Sequence, residues 1–196
     1  MTDPIRKPRL DGLLDYLLTR RSLSSTKMTG PGPNDAELEL ILRAATRVPD
    51  HGKLAPWRIQ VVRGEAQHTL GKRWAEIFRR DNPAASDELI ESEAKRPARA
   101  PLLLIVSTRI ENVQRIPRFE QVLSGAAVCL NAIHAANALG YFAAWNTGWP
   151  AYHADVKAGL QIPESDEIVG LIYIGSATQP TDERSRPALE DVVSYL

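Results

Sequence analysis

The sequence predicts an α+β fold, and three observations carry that reading. Apolar residues recur at helical spacing in several stretches. Between them lie well-separated apolar runs of strand length, above all Leu102-Leu103-Leu104-Ile105-Val106 and Ile168-Val169-Gly170-Leu171-Ile172-Tyr173-Ile174-Gly175. The 196 residues, 43% hydrophobic and 24% charged, suit a single domain, 1–196, with a substantial core.

The elements follow in order. Leu10, Leu13, Leu14, Leu17 and Leu18 make one face of an amphipathic helix over residues 10–20. After the breaker run Gly30-Pro31-Gly32-Pro33, Asn34 caps a second helix with Glu37 in capping-box position. Leu38, Ile41, Leu42 and Ala45 give that helix its buried face. Ile59, Val61 and Val62 read as a strand closed by Arg63-Gly64. A helix over 65–80 places Leu70, Trp74 and Ile77 on one side, and the polar stretch 81–101 holds a second, more exposed helix. Residues 102–106 read as a strand covered on both faces. The helix over 119–139 is apolar around most of its girth, which predicts a domain centre or an interface. Gly140 ends it; a short strand over 141–145, a short helix near 152–160 and the strand 168–175 complete the pattern.

Composition narrows the function. Lys+Arg and Asp+Glu both number 24, so no basic excess points to nucleic acid. No apolar stretch reaches membrane-span length, and the N-terminus has no signal-peptide pattern, so the expectation is a cytoplasmic protein off the membrane. The single cysteine, Cys129, lies in an apolar helical run and reads as a buried thiol. His51, His68, His134 and His153 have no partner at metal-ligand spacing, so no metal is expected. No nucleophile elbow, phosphate loop or dinucleotide fingerprint appears. An enzyme of this sequence has its hard chemistry carried by a cofactor.

Three cationic places remain. Arg20-Arg21-Ser22 closes the first helix with forked donors and a hydroxyl, suited to phosphate. Cations at a helix C-terminus also favour the macrodipole, so the spacing leaves both readings open. Arg184-Ser185-Arg186 is a second such set, or a solvated tail. The third is the connector RVPDHGKLAPW, residues 47–57, with His51 and Lys53 beside Pro56-Trp57. It either faces a planar heterocycle or makes local turn bonds through Asp50 and His51.

Taken together these residues resemble the nitroreductase family of FMN-dependent oxidoreductases. The matching pieces are Arg20-Arg21-Ser22, Ala44-Ala45-Thr46-Arg47-Val48-Pro49-Asp50-His51 leading to Pro56-Trp57, Ala100-Pro101, Ala138-Leu139-Gly140, Trp145-Asn146-Thr147-Gly148, residues 169–175, and Arg186-Pro187 with Leu189-Glu190-Asp191-Val192-Val193. Asp50-His51 and Ile116-Pro117-Arg118-Phe119-Glu120-Gln121 look like a shorter branch of NAD(P)H nitroreductases. The resemblance implies a central, mainly antiparallel sheet packed by helices, in an intertwined homodimer with FMN at the interface. It implies ping-pong chemistry, with NAD(P)H as co-substrate and a nitroaromatic, quinone or similar small molecule as electron acceptor. It assigns the FMN phosphate and ribityl chain to Arg20 and Ser22 with Arg21 beside them, and Arg186 with Arg184 to the same phosphate. Arg47 and His51 would face the flavin, and Trp145, Asn146 and Thr147 would lie along its ring. His51, Lys53 and Asn146 depart from the better-known members or from the shorter branch, which leaves acceptor preference open. An O2-using or dehalogenating flavin enzyme and a non-catalytic flavin sensor are the alternatives.

Overall fold

Four antiparallel strands form one sheet in the order β1-β2-β4-β3: Trp57–Arg63, Leu102–Thr108, Ile168–Gly175 and Phe142–Asn146. This is a computed structural model, and it describes residues 11–113, 115–179 and 181–196. Every residue of β2 is buried, as its unbroken apolar run requires of a central strand. Side chains alternate between faces. Leu103, Ile105, Leu171 and Tyr173 join Val62, Ala144 and Trp74 on one side. Leu104, Val106, Ile172 and Ile174 pack on the other against Leu38, Ile41 and Ala45 of α2 (Asp35–Ala45) and Val128, Cys129, Ala132 and Ile133 of α5 (Arg118–Ala138). Each fully buried aliphatic side chain contributes roughly 1.5–3 kcal/mol.

Local signals set the helices. The capping box of α2 is complete: Asn34 accepts from the Glu37 amide at 3.0 Å, and Glu37 accepts from the Asn34 amide at 2.9 Å. The Tyr141 hydroxyl also donates to Glu37, tying the start of α2 to the chain entering β3. In α3 (Glu65–Asp81) Trp74 is fully buried. Gly71 lets α3 approach α4 (Asp87–Ala94): a Cβ there would lie 1.9 Å from the Ala94 carbonyl oxygen.

A short helix, α6 (Trp149–Tyr152), precedes α7 (Ala154–Gly159), which is the helix predicted near 152–160. Pro150 starts the first, and His153, in extended geometry, caps the second by accepting from the Asp155 amide.

The chain divides into two compact units. The sheet and helices α2–α7 lie in residues 23–180. The other unit, among described residues, comprises 11–22 and 181–196, with α1 (Asp11–Thr19) and a 3-10 turn at Leu189–Asp191. Leu10 lies outside the described residues. Leu13, Leu14, Leu17 and Leu18 of α1 are exposed, Leu18 by 73%, so this apolar stripe is left open among the described residues. On α5, Phe119, Leu123 and Leu130 are exposed as well, while Val128 and Cys129 are fully buried.

Candidate functional site

The two arginine sets, more than 160 positions apart in sequence, meet in the smaller unit. Arg20, Arg21, Ser22, Arg184 and Arg186 line a cavity of about 260 Å³. Helix α1 ends at Thr19, so Arg20 and Arg21 leave it with their guanidinium groups beside the returning C-terminal segment. Arg21 donates to the Asp182 carbonyl, and at 3.0 Å to the Glu183 carboxylate. Arg186 Nε stands 4.0 Å from the same carboxylate, and its Nη2 reaches the Arg20 carbonyl at 3.5 Å. The Arg184 amide, with the charges of Arg21 and Arg186, holds the Glu183 carboxyl below the ordinary glutamate range. Arg20 differs: its Nη1 is buried and has no hydrogen-bond partner among the described residues. An unpaired buried guanidinium nitrogen is costly, and a multi-oxygen anion is the group that would complete it. The donor set fits a phosphate.

In the larger unit the connector 47–57 is strapped to α5. Asn131 Nδ2 donates to the carbonyls of Ala44 and Arg47, at 3.2 and 3.0 Å. Ser124 donates to the Pro49 carbonyl at 2.7 Å and accepts from Trp57 Nε1 at 3.1 Å. His51 Nδ1 and Glu120 Oε2 are 2.7 Å apart. Asp50 folds the tip, accepting from the Leu54 and Ala55 amides at 3.0 and 2.9 Å. Around it Gly52, Lys53 and Ala55 take left-handed backbone angles, φ 69°, 58° and 47°. At Gly52 a Cβ would sit 2.5 Å from the tip of the Ile116 side chain, and the φ of 69° is one that side chains rarely adopt. Non-glycine residues at such angles are uncommon and gather at functional loops. The Arg47, His51 and Lys53 side chains are all exposed.

Trp145 and Asn146 end β3. The indole Nε1 of Trp145 donates to the Val169 carbonyl at 3.0 Å and passes so close to Gly170 that a Cβ there would lie 2.6 Å away. That anchors one edge of a ring still 38% exposed. Asn146 donates to the buried Ser25 hydroxyl at 3.4 Å, and Thr147 follows it, half-buried.

Residues outside the sequence prediction do much of the holding. Glu120, Ser124 and Asn131 stand four and seven positions apart, at helical spacing along α5, and that periodicity is the available signal. Glu183 carried no such signal. Among the described residues no cluster of His, Cys, Asp and Glu is arranged to hold a metal ion, and no helix is long and apolar enough to cross a membrane. Burial pushes the Cys129 thiol up to about 12, as an inert core residue.

The Nitroreductase family model matches residues 18–176. The chain is 32% identical over 165 residues to "Putative NAD(P)H nitroreductase YdjA" of Escherichia coli K12, covering 83% of this chain and 87% of that protein. Its fold superposes on a nitroreductase-like family protein from Bacillus cereus with a TM-score of 0.79 at 18% identity, over 98% of this chain and 99% of the other. A nitroreductase with bound FMN from Bacteroides fragilis gives 0.68 at 19% identity, over 94% and 98%.

Proposed function

The chain belongs to the nitroreductase family, and from that premise we propose that it is an FMN-dependent oxidoreductase, taking electrons from NAD(P)H and reducing a nitroaromatic, quinone or similar acceptor in ping-pong order. The observation that carries the reading is the arginine cavity with the unpartnered Arg20 Nη1. Arg20, Ser22, Arg21, Arg184 and Arg186 would hold the phosphate end of FMN. Arg47, His51, Trp145, Asn146 and Thr147 would attend the isoalloxazine ring, as the family pattern has them. When bound, FMN supplies the redox chemistry, passing two electrons from NAD(P)H to the acceptor.

The chain's own contribution is binding, orientation and electrostatics. The guanidinium fork recognises a dianionic phosphate bidentately and so selects FMN over the uncharged riboflavin. The exposed leucines of α1 and the exposed Phe119, Leu123 and Leu130 of α5 support a homodimer, because a second copy would cover them.

The purified protein is expected to be yellow, to release FMN on denaturation and to lose its oxidised-flavin absorbance when mixed anaerobically with NADPH. A protein that binds FMN with no bleaching by NADPH or NADH would sink the reductase reading.

A further inference from the structure

Three polar side chains of α5 hold the loop, but they hold different parts of it. Asn131 and Ser124 bond main-chain carbonyls, of Arg47 and Pro49, and fix the path of the chain. Glu120 reaches a side chain, at 2.7 Å from His51 Nδ1. An ionised carboxylate only accepts, so Nδ1 carries the proton in that bond. In the neutral ring the lone pair is then confined to Nε2. In the imidazolium, Nε2–H is the proton left to give. One nitrogen therefore both takes up and releases the proton, and the ring is 60% exposed, within reach of water.

We propose that Glu120 is a positioning residue that makes His51 Nε2 the proton-exchange atom for reduction of the acceptor. This rests on the FMN-dependent reductase reading. For a quinone the step balances as follows. The quinone takes a hydride equivalent, two electrons and one proton, from reduced flavin, which is oxidised. The second proton comes from His51: the Nε2–H bond breaks and an O–H bond forms on the quinone oxygen, giving hydroquinone. The neutral ring, still donating through Nδ1–H to Glu120, regains a proton from water at Nε2. Acceptors that carry an oxygen to be protonated, quinones and nitro compounds, are the substrate class this dyad serves.

The test uses the FMN-loaded protein reduced anaerobically with NADPH, then mixed with benzoquinone or with ferricyanide, which takes single electrons and needs no proton. Glu120→Ala is expected to lower the ratio of quinone to ferricyanide oxidation rates about tenfold, within the range of general acid catalysis. Glu120→Ala should lower it no further in a His51→Gln background. Nitrogen NMR of the loaded wild type is expected to show neutral His51 as the Nδ1–H tautomer, and Glu120→Ala to shift it toward Nε2–H. An unchanged ratio, a loss that persists without His51, or a wild-type Nε2–H tautomer would each overturn the proposal. Failure of NADPH to reduce the wild-type flavin would instead strike the reductase reading, and the tautomer measurement would still judge the dyad.

Discussion

The arginine cavity and the 47–57 loop are both dense in polar groups, yet they are satisfied in opposite ways. In the loop, protein groups answer protein groups: Asp50 takes two amides, Ser124 and Asn131 take carbonyls, and Glu120 takes His51. In the cavity, Arg20 Nη1 is buried without a partner among the described residues, and Arg21 and Arg186 share one carboxylate. The loop is satisfied by folding, whereas the cavity keeps one donor, Arg20 Nη1, unmet among the described residues. Truncating a side chain in the first region should cost stability, and in the second it should cost binding.

The largest expected effect breaks the comparison most directly. Arg20→Ala should weaken FMN by about 1.5–3 kcal/mol, the scale of a charge-assisted hydrogen bond. It should cost the FMN-free protein less than it costs FMN binding, because the Nη1 it removes has no partner among the described residues. Titration calorimetry and thermal unfolding of the same variant check both halves. A stability loss with unaltered affinity would make Arg20 structural.

Asp50→Ala asks the reverse of the loop. Two amides lose their acceptor beside three left-handed residues, so the FMN-free protein should lose about 1–3 kcal/mol in denaturant unfolding. Should the variant unfold like wild type, the loop is not organised by this carboxylate. Ser124→Ala is milder, at about 0.5–1.5 kcal/mol, because it removes one neutral hydroxyl whose partners, Pro49 and Trp57, are not themselves fully buried.

The same contrast explains what was legible in the sequence. The capping box at Asn34–Glu37, the face of Leu70 and Trp74, and the apolar run of β2 are local signals, and the structure realises each. The helix near 152–160 is realised as α7, but the four-residue α6 before it, set off by the extended His153, is too short to show a period of its own. The stripe of α1 was legible as a helical pattern, but its exposure among the described residues was not. At the site, residue types were readable and pairings were not. That Arg20 and Arg186 share a cavity depends on how the chain returns, and that Asp50 is a loop organiser depends on backbone angles no spacing encodes. The stripe of Glu120, Ser124 and Asn131 was hidden by its background, because α5 also carries Arg118, Gln121, His134 and Asn137 and spacing does not say which polar residues meet the loop.

The smallest expected effect is a titration. Glu183 sits below the ordinary glutamate range because the Arg184 amide, and then Arg21 and Arg186, favour its charged form. A carboxyl depressed on folding contributes stability above its unfolded value and loses it as pH falls through the folded one. Because Glu183 is exposed, little stability should change. Its carboxyl resonance should nevertheless titrate at a lower pH than a free glutamate. Adding inorganic phosphate should raise that midpoint, since the incoming anion takes Arg21 and Arg186 from the carboxylate and adds its own negative charge. The rise should be partial, because the Arg184 amide remains in place. A midpoint unmoved by phosphate would mean that Glu183 and the anion do not compete for the same arginines, and the cavity would then be as self-satisfied as the loop.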